Sequence, residues 1–355
     1  MSSNFIGLLG SLESGKTSLA QMFGKKGLSS DLTFFSSNKE PSVSVIDPNK
    51  YPESFKTLLQ TLQISDSYIL CINAQKGIDK NFGEIIITLQ SLWKKEDLNR
   101  GIIAITNREF IYDDNLLKKI KKMLEMSKFP DLQIVTTDIN NKESITELKH
   151  KIKENLLSKG PRIENKNDPI VEIWPDHCFS PKGVGTVVLG KIISGTLEKG
   201  MKLTLLPGNK SIHVKNIQLN DIDAKEAFPG SHVGIAVKGI SPDQMFRGAI
   251  LLSEQKNGYS ITKKIVVNTS LNKFSTPLSN GSTVHIIIGL DFVIGKIISI
   301  ENEERQGSVE SLLATQSGKL IIELSRETVS KIGTRVILCD LNKMPRILGF
   351  GEISE

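Results

Sequence analysis

The segment Gly10-Ser11-Leu12-Glu13-Ser14-Gly15-Lys16-Thr17 constrains this chain more than any other. Its glycines, lysine and threonine fit G-x-x-x-x-G-K-[ST] at every fixed position, a pattern whose backbone N–H groups turn inward around a phosphate. An apolar run at 5–9 precedes it and a helix-compatible run at 17–23 follows it, so the loop joins a strand to a helix, as the pattern requires. Lys16 would reach the terminal phosphates and the Thr17 hydroxyl would hold Mg²⁺. Gly10, Ser11, Glu13, Ser14, Gly15 and Ser18 complete the candidate phosphate site. The alternative is a glycine-rich turn that opens a helix by chance, and the flanking runs argue against it.

A length of 355 residues is too great for one core and predicts two or three domains. No apolar run reaches the ~18 residues of a membrane span, so no membrane partner is expected. The N-terminus lacks a basic stretch followed by an apolar one, so no secretory leader is expected either. Cys71, Cys178 and Cys339 are far apart and have no partner at metal-ligand spacing. Reduced, buried cysteines in the cytoplasm are the expectation. A net charge of +6 permits a nucleic-acid partner without requiring one.

Up to about residue 160, apolar runs alternate with amphipathic stretches. Strands are predicted at 5–9, 42–46, 67–72, 101–106 and 132–135, and helices at 17–23, 53–62, 82–92, 115–126 and 142–157. The stretch from Lys16 to Asn38 shows no firm structure. A polar break at 159–168 leads into short runs rich in Val, Ile, Thr and Gly, punctuated by turns at 181–183, 198–200, 207–209 and 228–230. A second polar break lies at 254–258. The fold class expected is an α/β phosphate-loop domain over 1–162, with a mostly parallel sheet and helices on both faces. Two all-β barrels follow, over 168–255 and 259–355.

Residues 176–190, Asp-His-Cys-Phe-Ser-Pro-Lys-Gly-Val-Gly-Thr-Val-Val-Leu-Gly, together with 193–200, 228–240, 333–338 and 346–353, carry a resemblance. With the phosphate loop, they resemble the translational GTPases of the elongation factor Tu and elongation factor 1-alpha class over nearly the whole chain. The Lys-Gly-Val-Gly-Thr-Val form is similar to that of the selenocysteine-specific elongation factor. The chain stops at Glu355, just after the third domain, so the resemblance implies a factor without that protein's further C-terminal domain. It also implies a P-loop GTPase-like first domain with GTP or GDP and Mg²⁺ as ligands. A monomer is implied that binds RNA, in particular the acceptor end of a tRNA, and works with the ribosome. Arg335 and Arg346, in the segments that resemble the third domain, become candidate RNA contacts.

The first domain departs from the family at residues that do chemistry. The family's Asp-x-x-Gly falls on Asp47-Pro48-Asn49-Lys50. Asp47 is kept as a candidate for the metal, alongside Thr17. Lys50 replaces the glycine whose N–H approaches the γ-phosphate, and a side chain disfavours that approach. Tyr51 stands at the family's catalytic histidine, and a phenol of pKa about 10 does not replace a neutral imidazole; no catalytic residue is assigned. The base-reading Asn-Lys-x-Asp falls on Asn107-Arg108-Glu109-Phe110, so Phe110 stands in place of the aspartate that accepts two hydrogen bonds from guanine. Asn107, Arg108, Thr136 and Thr137 are the remaining base-binding candidates. Thr33 is the sole threonine between Lys25 and Glu40, and its surroundings do not match the switch pattern. His177, His213, His232 and His285 are scattered through the barrel half at no metal-ligand spacing and are read as structural residues. Three accounts stay open: a divergent paralogue with weakened or lost GTP binding and hydrolysis, an active GTPase that delivers an aminoacyl-tRNA, and a nucleotide-independent adaptor for ribosome or protein. Residue chemistry favours the first.

Overall fold

In a computed structural model of the chain, the apolar run before the phosphate loop forms strand β1, Asn4–Leu9, buried along its whole length. The structure describes residues 4–27, 30–36, 43–107, 114–162, 168–254, 258–302 and 307–355. It divides into two compact units, Ser2–Arg162 and Ile163–Glu355.

In the first unit, β1 leads through the loop to helix α1, Lys16–Gln21. Then come β2 (Lys25–Lys26), β3 (Thr33–Ser36), β4 (Val43–Asp47), α2 (Phe55–Ile64), β5 (Ser67–Asn73), α3 (Lys80–Leu92), β6 (Gly101–Thr106), α4 (Asp114–Met126), β7 (Gln133–Thr136) and α5 (Lys142–Asn155). The sheet order is β2-β3-β4-β1-β5-β6-β7. From β4 to β7 every pairing is parallel, and only the β2–β3–β4 edge is antiparallel. Strands β1, β4, β5 and β6 are buried at every residue, which is why they read in sequence as apolar runs without alternation.

One face of the sheet packs Ile6, Leu8, Val45, Ile69 and Ala104 against Leu19 and Ala20 of α1 and Ile145, Leu148 and Ile152 of α5. The helical spacing of the α5 residues puts them on one stripe. Residues of the opposite pleat meet α2: a Cβ on Gly7 would lie 2.8 Å from Ser65 Oγ and 3.0 Å from Thr61 Cγ2. Tyr68, on β5, stacks edge-on with Trp93 and Phe129. Asp79 caps α3 by accepting from the Phe82 N–H, and Asn141 caps α5 through Glu143 and Ser144.

The expected strands and helices are found within two residues at most ends. The correction concerns the stretch expected to lack structure: Thr33–Ser36 is a strand, antiparallel to β4 with Thr33 opposite Asp47. Four residues with flanking polar segments give little periodicity, and it is the β4 edge that pairs them.

The second unit holds two closed six-stranded barrels. In the first, the strands run Lys202–Leu206, Ile250–Leu252, Glu172–Phe179, Thr186–Ser194, His232–Lys238 and Lys210–Leu219, and Lys202 pairing with His213 closes the ring. In the second, the order is Thr283–Ile288, Arg335–Cys339, Ile347–Ile353, Tyr259–Leu271, Ser317–Lys331 and Asp291–Asn302, closed by Thr283 pairing with Lys296. Each has its own aliphatic core. They meet where Gly248, at φ 113°, lies against Asp291, so close that a Cβ there would be 2.6 Å from the Asp291 Cβ. Arg326 pairs with Asp291 and covers the Phe246 ring. Among the described residues, no helix is long and apolar enough to cross a membrane.

Candidate nucleotide site

The loop between β1 and α1 takes its shape from two left-handed residues, Glu13 at φ 58° and Gly15 at φ 78°. Gly10 has no room for a side chain: a Cβ would lie 2.3 Å from Ser14 Oγ and 2.7 Å from the Cys71 carbonyl oxygen. Neighbouring strands hold the loop. Thr106 Oγ1, at the end of β6, donates to the Ser14 carbonyl at 2.9 Å. Asn73 Nδ2, at the end of β5, donates to the Glu13 carbonyl at 3.0 Å. Ser11 Oγ donates to Asp79 Oδ1 at 2.5 Å. An exposed Lys76–Glu13 ion pair adds little, because water screens it.

Lys16 and Thr17 open α1. Lys16 is buried, and its Nζ donates to the Ser11 carbonyl at 3.3 Å and the Tyr51 carbonyl at 3.4 Å. Thr17 is exposed, and its Oγ1 donates to Asp47 Oδ2 at 2.6 Å. Asp47, the last residue of β4, is wholly buried, and its Oδ1 has no hydrogen-bond partner; nor does the buried Ser14 Oγ. Burial pushes the Asp47 carboxyl up, opposed by the Thr17 hydroxyl and by Lys16 and Lys26. A carboxylate oxygen left over beside a hydroxyl on an exposed residue fits Mg²⁺, which takes one or two protein oxygens and completes its shell with water and phosphate. Among the described residues, no group of three or more His, Cys, Asp or Glu could hold a metal by itself.

The turn after β4 decides what faces this loop. The Tyr51 N–H donates to the Pro48 carbonyl at 2.9 Å, and the Ser54 N–H to the Lys50 carbonyl at 2.7 Å. Lys50 is exposed and is not among the residues at positive φ, so the backbone here accepts a side chain without strain. Tyr51 is wholly buried, and its hydroxyl shares its one proton between Glu84 Oε2 and the Asn81 carbonyl, both at 3.1 Å. The residue at the histidine position thus turns its phenol toward α3 and its carbonyl toward Lys16. Thr33 sits in the sheet, where its Oγ1 accepts from Asn49 Nδ2 at 3.0 Å.

Of the base-binding candidates, Asn107 is half-buried just after β6 at φ 59°. Thr136 ends β7, and Thr137 is buried, with its N–H on the Ile105 carbonyl at 2.7 Å and its Oγ1 without a hydrogen-bond partner. Arg108, Glu109 and Phe110 lie outside the described residues. Ser18 is half-buried on α1 beside Thr17. Asn73, Thr106, Asp79 and Glu84 are not among the site residues expected from sequence. A signal existed for two of them: Asn73 and Thr106 end adjacent parallel strands, the side of an α/β sheet where ligands bind.

In the second unit, the Arg335 guanidinium covers the Phe350 ring at 4.6 Å, and Arg346 is half-buried with its carbonyl accepting from the Asp340 N–H at 2.8 Å. Two of the four barrel histidines share a partner that their spacing in sequence does not show. Asp176, nearly fully buried, accepts from His177 Nδ1 at 2.5 Å and His232 Nε2 at 2.6 Å. Burial pushes the Asp176 carboxyl up, but His232 and His177 outweigh it and hold it well below the usual carboxylate range. Cys71 and Cys339 are buried thiols, whereas Cys178 is only half-buried.

The chain matches the family described as elongation factor Tu domain 2 over residues 185–252, most of the first barrel. It is 30% identical to the selenocysteine-specific elongation factor of Methanocaldococcus jannaschii, over 98% of this chain and 79% of that one. An uncharacterised protein of the same organism is 28% identical over 98% of both chains. The crystal structure of translation elongation factor SelB from Methanococcus maripaludis, in complex with the GTP analogue GppNHp, shares the fold with a TM-score of 0.82 at 22% identity, over 100% of this chain and 80% of that one.

Proposed function

The chain belongs to the translational GTPases of the elongation-factor class, akin to the selenocysteine-specific factor, and on that premise we propose that it is an RNA-binding member with a weakened nucleotide site. Its ligand is the acceptor end of a tRNA, and it acts in the cytoplasm with the ribosome as a further partner. The observation that carries the reading is the orientation of Tyr51. A phenol held by Glu84 cannot orient an attacking water, so hydrolysis is slow. Phe110 in place of the base-reading aspartate leaves guanine donors without an acceptor, which weakens discrimination against adenine.

Lys16 and the loop amides bind the phosphates, and Thr17 and Asp47 hold Mg²⁺. When bound, the metal neutralises charge on the phosphates. Asp47 and Thr17 orient it, while Thr106 and Asn73 keep the loop in shape behind it. Arg335 and Arg346 are the proposed phosphate contacts to RNA in the second unit. One observation favours the active GTPase as the second reading: the phosphate loop, Lys16, Thr17 and Asp47 are all in place.

Titration of GTP, GDP and ATP with Mg²⁺, followed by turnover with and without ribosomes, tests the nucleotide part. Weak binding, little preference for guanine and slow turnover are expected. Low-micromolar GTP affinity with strong rejection of ATP returns the active GTPase to first place. For RNA, tRNA binding is measured at two salt concentrations, and a steep loss of affinity with salt is expected. Absence of tRNA binding at low salt refutes the RNA reading.

A further inference from the structure

On helix α4, Lys118, Lys119, Lys121 and Lys122 are exposed while Leu116, Ile120 and Leu124 are buried. At about 100° per residue, the lysines fill an arc of about 160° centred opposite the buried stripe. The helix is seated on α3, where a Cβ on Gly83 would lie 3.2 Å from Met123 Cε and Gln90 Nε2 donates to the Ser127 carbonyl at 2.6 Å. Its two carboxylates, Asp114 and Glu125, stand in the first and last turns, so the turns between present only positive charge. Like charges three and four residues apart, as at 118/121, 119/122 and 118/122, destabilise a helix. A further lysine ends it: Lys128 is exposed at φ 52°, in the left-handed region where glycine is the usual residue. Among the described residues, none of these lysines forms an ion pair. On α5, by contrast, Glu154 lies 3.3 Å from Lys151 Nζ and 3.4 Å from His150 Nδ1.

We propose that this face of α4 docks on the phosphate backbone of an RNA duplex, a second RNA surface that lies in the first unit and is separate from Arg335 and Arg346. The face repels itself in the free protein, and a polyanion relieves that repulsion. Its chemistry separates the candidate partners. Lysines are point charges on long flexible stems, suited to phosphates, and they are depleted in protein–protein interfaces, which are anchored by aromatic residues and arginine. α4 holds no arginine, and Met126 is the one large apolar side chain exposed on it. A membrane surface would need the apolar stripe, which is buried within the unit. Single-stranded RNA is held by bases stacked on aromatic rings, and α4 carries none. What remains is a duplex read by its backbone, where contacts to phosphate position the protein without regard to sequence.

The test is fluorescence anisotropy of the full chain with a blunt RNA duplex of about 16 base pairs, titrated between about 50 and 200 mM salt. A single-stranded oligonucleotide with the sequence of a tRNA acceptor end serves as the second probe. The variant replaces Lys118, Lys119, Lys121 and Lys122 together with glutamine, which keeps helix propensity and removes the repulsion, so it should unfold no earlier than the wild type. Its affinity for the duplex is expected to fall about 50-fold at 0.1 M salt, and its log–log salt slope by about two, the worth of two phosphate contacts. Its affinity for the single strand should change less than about threefold. The same four positions changed to arginine keep the charge and should keep duplex affinity within about threefold. A duplex bound equally by wild type and glutamine variant overturns the inference, as does an equal loss for both probes, which would report net charge alone. Tighter binding of polyglutamate than of the duplex also overturns it and assigns the face to an acidic protein. A wild type that binds the acceptor-end strand but not the duplex overturns it and leaves the acceptor-end reading standing.

Discussion

Replacing Asp47 with asparagine should stabilise the ligand-free first unit while removing its metal response. In the wild type, Asp47 is wholly buried; Oδ2 accepts the Thr17 hydroxyl at 2.6 Å and Oδ1 has no hydrogen-bond partner. A buried unsatisfied polar group costs about 1–3 kcal/mol, and a charged one more. An amide keeps an oxygen for Thr17 and leaves a neutral group unpaired, a smaller penalty than an unpaired carboxylate oxygen. A gain of about 1 kcal/mol at pH 7 is expected, or roughly 2–4 °C in the unfolding temperature for a domain of this size. The pH dependence follows from burial, which raises the folded-state pKa above the unfolded value of about 3.9. Between those two values the folded state binds more protons, so wild-type stability falls as pH rises through the window and stays lower above it. Asparagine does not titrate. The advantage of Asp47→Asn should therefore be small below about pH 4, grow with pH and then level off. Calorimetry in EDTA from pH 4 to 8 reads this directly. Adding Mg²⁺ and GDP should reverse the order, because ligand binding stabilises the wild type by mass action. A variant less stable than wild type at pH 7 in EDTA, or an advantage that does not change with pH, would refute the argument.

Two other substitutions test the supports of each unit. Thr106→Val keeps the shape but removes the donor to the Ser14 carbonyl; a loss of about 1–2 kcal/mol in urea unfolding and weaker phosphate binding are expected, and unchanged values for both would sink the idea that β6 props the loop. Asp176→Asn in the first barrel should lower stability by about 2 kcal/mol at neutral pH, since it takes the charge from between two imidazoles that are themselves partly exposed. Because the Asp176 carboxyl is held below its unfolded pKa, this contribution is present above about pH 4 and is lost as pH falls toward the folded value. The gap between the melting curves of wild type and variant should therefore narrow from pH 7 to pH 3 without closing, and a gap that does not change would contradict the ion-pair account.

Some of this protein was legible in its order of residues alone. The phosphate loop is contiguous, so the left-handed Gly15, the crowded Gly10, Lys16 and Thr17 could be named before any neighbour was known. Strands β1, β5 and β6 announced themselves because burial on both faces demands apolar residues throughout. The barrel strands did so through the turns between them. Tertiary structure decided what these elements do to one another. Thr106 and Ser14 lie 92 residues apart, Tyr51 and Glu84 33 apart, and Asp176 and His232 56 apart. Nothing local marks such pairs, since each depends on which strands and helices come to lie side by side. The strand Thr33–Ser36 exists because β4 offers it an edge, and Tyr51 faces α3 because Glu84 is there to accept its hydroxyl. Sequence alone placed a tyrosine where the family has a histidine. The packed α3 determined that its carbonyl, and not its phenol, meets Lys16, because a buried hydroxyl must find an acceptor and the carboxylate of Glu84 supplies one.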